Sequence, residues 1–175
     1  MLRRDLVLAL LASAGGAPYT SVQIQKATFL VTKQLPSLVD GPCFEFLPNR
    51  YGPYDPRVYD EANALAAADE VTIRAALQKW SDWKWYSVTP AGTSRAERLL
   101  ASLPSDVRSY LEEVATWVRS QYLTGLLKSI YKAYPDIKMI ENIQEQYEHY
   151  DEAKAHSFEK LYNAPAIDPP KPPTV

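Results

Sequence analysis

Aromatic rings and bases interleave between residues 74 and 98, and a tyrosine-rich turn lies at residues 50–57; these are the stretches whose residue types could recognise another molecule. In the first stretch Arg74, Lys79, Lys84, Arg95 and Arg98 outnumber Asp82 and Glu97, while Trp80, Trp83, Trp85 and Tyr86 sit among them. Rings flanked by cations stack on bases and pair with phosphates in nucleic-acid sites. The same mixture supplies the anchors of protein hot spots. A plainer reading uses the two-residue period of a strand, with Trp83 and Trp85 packed against the helices and Tyr86 on the opposite face. In the turn, Arg50, Tyr51 and Tyr54 make a contact surface, or the segment simply aims the helix that follows it.

Residues for covalent or acid–base chemistry are few. Cys43 is the single cysteine, which excludes an intramolecular disulfide and a cysteine-based zinc site. As a nucleophile it would need a histidine, and His149 and His156 both lie far along the chain. Those histidines are seven residues apart, about 10 Å on a helix, too far to share one metal without further ligands. Glu148, Asp151 and Glu152 around them read as a solvated face. Carboxylate pairs such as Asp60-Glu61 and Glu112-Glu113 are adjacent on helices and point apart. With no nucleophile elbow, phosphate-cradling glycine loop or His-Glu-x-x-His motif, neither an enzyme nor a cofactor is expected.

Composition narrows the class. The 175 residues are 46% hydrophobic and 23% charged, enough to bury a core, and the formal net charge of -2 gives no general attraction to nucleic acid or anionic membrane. A basic surface must therefore be local. Met1-Leu2-Arg3-Arg4-Asp5 precedes an apolar run, but Asp5 interrupts the positive segment that a signal peptide needs. No stretch is long and apolar enough to span a bilayer. One cysteine suits a reducing compartment, so the cytoplasm is expected.

The elements that must position these residues follow from periodicity and punctuation. A short, largely buried helix is predicted over 6–14, stopped by Gly15-Gly16. Thr20 or Ser21 then caps a helix running to Gln34. Phe44, Phe46 and Leu47 read as extended chain. Asp55 caps a third helix over 56–68, with Pro56 in its first turn and Tyr54 and Tyr59 spaced as a hydrophobic staple. Alternation from Val71 to Leu77 and from Trp83 to Val88 predicts a hairpin with Ser81-Asp82 at its tip. Helices are expected from Thr89 to Ala101, over 105–120, over 123–134 and over 140–162, before a loose proline-rich end.

This order of three helices, a two-stranded wing and a further helix predicts a mainly α protein with a small β-hairpin wing. It is a winged helix-turn-helix-like domain over 1–102, with a helical extension over 103–163 and a flexible proline-rich tail over 164–175. Tyr86-Ser87-Val88-Thr89-Pro90-Ala91-Gly92 is similar to the end of many winged-helix domains, where the second wing strand enters a Thr-x-x-Gly helix start. Ile24-Gln25-Lys26-Ala27-Thr28-Phe29-Leu30 resembles the Leu-Gln-Lys-hydrophobic stretch of the phage-associated, antitoxin-like Panacea domain family. Phe44 to Phe46, then Tyr51-Gly52-Pro53-Tyr54-Asp55-Pro56-Arg57-Val58-Tyr59, resembles the Phe-x-x-x-x-Tyr-Gly-Pro block that follows there. Pro48-Asn49-Arg50 departs from the Ala-Trp usual before that block, and the wing has no counterpart. The resemblance implies a toxin-neutralising or adaptor protein in a bacterial, mobile-element setting.

Charge weighs against the third helix as a DNA reader. Asp55, Asp60, Glu61, Asp69 and Glu70 stand there against Arg57 alone, in a groove walled by phosphates. Asn63 could read an adenine or be an ordinary exposed residue. A protein partner, such as a toxin encoded nearby, is therefore expected ahead of DNA. The contact residues expected are Arg50, Tyr51, Tyr54, Arg57, Lys79, Trp80 and Lys84. The stripe Ile140, Ile143, Tyr147 and Tyr150 either packs internally or forms a homodimer.

Overall fold

The structure is a computed structural model that describes residues 1–49, 51–75, 84–136 and 167–173. The expected hairpin tip, the helix over 140–162 with its histidines, and the contact residues Arg50, Lys79 and Trp80 lie outside the described residues.

Leu6 to Leu11 are consecutive apolar residues, and each is at most 1% exposed. A helix that is apolar on all sides must be surrounded. The helix they form, α1 (Arg3–Ala12), accordingly packs against α2 (Ser21–Gln34), α3 (Arg57–Ala67), α4 (Pro90–Ala101) and α5 (Ser105–Ser120). It begins three residues earlier than periodicity suggested, because Asp5 serves it: the Asp5 carboxylate accepts the Leu2 N–H at 3.3 Å. Arg95 of α4 also reaches Asp5, and it binds Glu70 at 2.5 Å.

For α2 the capping choice falls on Thr20. Its hydroxyl accepts the Gln23 N–H at 3.2 Å, and the Gln23 side chain accepts the Thr20 N–H at 2.9 Å, a reciprocal box. The two residues before α2, Tyr19 and Thr20, form a strand that the sequence did not announce, β1. With β2 (Val71–Ala75) and β3 (Lys84–Val88) it makes an antiparallel sheet in the order β1-β3-β2. The molecule is thus mainly helical with a small three-stranded sheet.

Register decides which residues of the sheet face inward. Tyr86 pairs with Tyr19 and Ile73, and all three face the core side, where Tyr86 is 3% exposed and stacks 6.1 Å from Tyr59. Trp85, between Thr20 and Arg74, is turned outward and is 44% exposed. The strand-face assignment expected from sequence is therefore reversed for this pair. Two-residue alternation fixes only that neighbours point oppositely, and the buried Tyr19 selects which one goes in.

The Thr-x-x-Gly start of α4 has a physical cause. Thr89 Oγ1 accepts the Gly92 N–H at 3.1 Å and donates to the Asp69 carbonyl at 2.7 Å, tying the helix to the end of α3. A Cβ on Gly92 would lie 2.0 Å from the Glu70 carbonyl oxygen, so no other residue fits there. Farther along, α5 contributes Tyr110, Leu111, Val114, Ala115 and Val118 to the same hydrophobic core as α1 and α2. A sixth helix, α6 (Leu123–Ala133), adds Leu126 and Ile130. Among the described residues no helix is long and apolar enough to cross a membrane.

Candidate functional site

Gln25 and Lys26 are adjacent on α2, and each is 1% exposed, although both are polar. Their partners explain the burial. The Gln25 amide donates to the Asp55 carbonyl at 2.9 Å and accepts the Asp55 N–H at 3.1 Å. Lys26 Nζ donates to the Pro53 carbonyl at 2.8 Å. Two neighbouring side chains thus hold the backbone of the Tyr-Gly-Pro-Tyr-Asp-Pro turn at two points. Gly52 has φ +79°, and a Cβ there would meet the Lys26 stem at 3.1 Å and Leu127 at 3.0 Å. The two stretches that carry the family resemblance are in this way one physical unit.

Burial pushes the Lys26 ammonium down to about 7, because the charged form is removed from water. Asp55 behaves oppositely. Burial would raise its carboxyl, but hydrogen bonds from Arg57 and from the Glu45 N–H hold it below the usual carboxylate range. Arg57 grips Asp55 through Nε at 2.9 Å and Nη2 at 2.6 Å, and its own N–H reaches Asp55 Oδ1 at 2.9 Å. The helix α3 begins at Arg57 with Pro56 at its cap position, one residue later than expected, and Asp55 accepts the Arg57 N–H from just before it. Arg57, expected as a partner contact, spends its fork inside the turn, with Nη2 also 3.4 Å from Glu45.

The turn closes through reciprocal backbone bonds between Leu47 and Tyr54, at 3.0 and 2.9 Å. Tyr51 and Tyr54 are half-buried on it, and Leu47 is 68% exposed beside them. The expected staple forms, with the Tyr54 and Tyr59 rings 5.8 Å apart. From there the rings continue to Tyr86. Tyr59 donates to the Ser21 carbonyl at 3.0 Å, while the Ser21 hydroxyl accepts the Lys84 N–H at 3.0 Å. The tyrosine turn and the sheet are consequently locked together through Ser21 and Tyr59. Burial raises the Tyr59 and Tyr86 hydroxyl pKa values, so neither ring is poised to ionise.

On the outer face of the sheet, exposed Trp85 lies across from exposed Arg74, while Lys84, exposed at the end of β3, alternates to the opposite face. The basic patch is smaller than the sequence suggests, since Arg95 is consumed by Asp5 and Glu70. Acidity on α3 is smaller too. Glu61 is held by Arg3 at 3.2 Å and by Arg4 at 3.5 Å, Glu70 by Arg95 and Asp55 by Arg57, which leaves Asp60 and Asp69 exposed. The outward stripe of α3 is Pro56, Asp60, Asn63 and Ala67, which carries no cation.

Of the seven expected contacts, the structure joins Tyr51, Tyr54 and Arg57 in one turn and places Lys84 on the adjoining sheet. Sequence reasoning weighed Arg74 and Trp85 within the aromatic and basic stretch without naming them as contacts, and it missed Leu47 as surface and Gln25 and Lys26 as the clamp. A glutamine and a lysine side by side within an apolar helix were the signal for the clamp. Cys43 is half-buried against the core, and among the described residues no three His, Cys, Asp or Glu side chains gather as a metal site. No protein-family model matches the chain, and no curated protein matches it.

Proposed function

We propose that this chain is a protein-binding module of the antitoxin or adaptor kind, built on a winged-helix frame and acting in the cytoplasm. The element order, the antiparallel sheet and the Thr-x-x-Gly start of α4 support the frame. One observation carries the binding reading: Trp85 is exposed beside Arg74, while the outward stripe of α3 has no cation to meet a phosphate. Leu47, Tyr51 and Tyr54 offer a second exposed or half-buried surface, on a turn whose backbone is already held, so docking there costs little ordering entropy. Similarity of the Gln25-Lys26 and Tyr-Gly-Pro stretches to the Panacea-type family points the same way.

The test is affinity capture from the native host under gentle lysis, run in parallel with W85A and R74E. One stoichiometric partner, retained by the wild type and lost by both variants, is the expected result. Recovery of the wild-type protein alone counts against it. A DNA-binding regulator is the second reading, favoured by the internal pairing of Asp55, Glu61 and Glu70, which removes much of the apparent acidity. It requires a mobility shift on the gene's own upstream DNA that weakens steeply with salt.

A further inference from the structure

The strand β2 reads Val71-Thr72-Ile73-Arg74-Ala75 and stands at the end of the sheet order β1-β3-β2, so within the sheet it has a neighbour on one side only. One bond just beyond the strands sets the phase of its ladder: the Thr89 N–H donates to the Glu70 carbonyl at 3.0 Å. Ladder bonds in an antiparallel pair fall on alternate residues, so Thr72 with Ser87 and Arg74 with Trp85 are the next pairs to exchange them. The N–H and C=O groups of Val71, Ile73 and Ala75 therefore point away from β3, to the open side of the sheet. Among the described residues none of these groups meets a hydrogen-bond partner. Edge strands are ordinarily blunted by a proline, a bulge or a charge pointing inward. β2 has none of the three: its register with β3 is unbroken, and Arg74 faces outward with Trp85.

Donors and acceptors repeating about every 7 Å along a line are matched by one kind of ligand, the backbone of an extended chain. Side chains say which chain. Ile73 is half-buried on the core side of the sheet, so the residue laid against it is apolar. Arg74 is exposed on the outer face and has no carboxylate partner among the described residues, so the residue laid against it is acidic. A second copy of β2 does not meet this need. Antiparallel pairing of two copies about Ile73 sets Arg74 against Thr72 of the other copy and leaves both arginines without a carboxylate. We propose that the β2 edge takes up an antiparallel strand of the protein partner, in which an acidic residue facing Arg74 lies between apolar residues facing Ile73 and Ala75. Trp85, Arg74 and that carboxylate then form one row across the outer face, with the partner as the fourth strand of the sheet. This inference rests on the protein-binding function proposed above and names the chemistry of its partner.

The experiment uses the full-length protein labelled with ¹⁵N-isoleucine and the acetylated, amidated peptide Thr-Val-Glu-Val-Thr. The Ile73 amide resonance is identified by its loss in I73V, and the peptide should shift it saturably. Lysine in place of the peptide's glutamate should weaken binding about fivefold, and R74E should reverse that preference. N-methylation of both valines removes the donors that face the edge and should weaken binding at least about tenfold. N-methylation of the glutamate, whose N–H points away from β2, should change the affinity by no more than about threefold. An Ile73 amide that millimolar peptide leaves unmoved overturns the proposal, as does equal binding of the two methylated peptides. A shift that grows with protein concentration in the absence of peptide makes a second copy the occupant and overturns the assignment to a partner. Strong protection of the Ile73 amide from solvent exchange in dilute protein shows an edge closed by the chain itself, and also overturns it. A75P leaves the Arg74–Trp85 ladder bonds intact, because the Ala75 N–H lies on the open side. Carried into the capture from the native host, A75P should lose the partner. A partner retained by A75P but lost by W85A and R74E overturns strand addition and leaves the protein-binding function standing.

Discussion

Lys26 is where burial and charge conflict most openly. Its amine, pushed down from 10.5 to about 7, is the donor that holds Pro53. An unfolded chain with an ordinary lysine binds more protons than the folded chain between those two values, so this residue makes stability rise with pH from about 7 toward 10.5. Replacing Lys26 by Met should remove that slope. Urea unfolding at pH 7, 8 and 9 should then show the stability of wild type over K26M growing with pH, and a difference that stays flat would disprove the assignment. Asp55 is linked with the opposite proton sense. Its carboxyl is held below the usual range, so its contribution is present at neutral pH and is lost as pH falls through the folded value. Asp55→Asn should cost about 2–3 kcal/mol at pH 7, the worth of charge-assisted bonds to Arg57 and the Glu45 amide. The variant should also lose sensitivity to acid relative to wild type, as chemical denaturation at pH 3–7 would register.

At the scale of elements, local signals account for boundaries and long-range contacts account for faces. The bounds of α5 and the end of α2 match their sequence expectation because Pro104, the break at Ser120-Gln121, and Leu35-Pro36 act within a few residues of the helix. The strand β1 was illegible, since two residues carry no period and exist as a strand only by pairing with Tyr86 and Trp85. The start of α4 shows both kinds of control. Thr89 caps by local chemistry, whereas Gly92 is demanded by the Glu70 carbonyl of another element. Gly92→Ala should therefore destabilise by about 3 kcal/mol or more, as overpacking against backbone does, although alanine has the higher helix propensity. A thermal melt that is unchanged, or raised, would show that α4 can shift away from the end of α3 at little cost.

For the whole molecule, the useful separation is between residues that hold the fold and residues that are free to meet a partner. Trp85→Ala removes an exposed ring and should change unfolding free energy by no more than about 0.5 kcal/mol. If Trp85 anchors a protein, the same change should weaken capture by about 2 kcal/mol or more, measured by calorimetry on the recovered complex. Arg57 and Arg95 behave in the reverse way, because their charges are already satisfied by Asp55, Asp5 and Glu70. A residue list treats all arginines alike, so no reading of the chain could have told these from Arg74. A mainly helical organisation, with the Thr20 and Thr89 caps that begin two of its helices, was thus visible from the start, because propensity and capping act between near neighbours. Only the tertiary structure decided that Trp85 faces out and Tyr86 in, that Gln25 and Lys26 grip a turn some thirty residues away, and that acidic α3 is largely neutralised from within. Each of those outcomes depends on which groups are brought together in space, and pairing energy is set by distance and burial rather than by residue type.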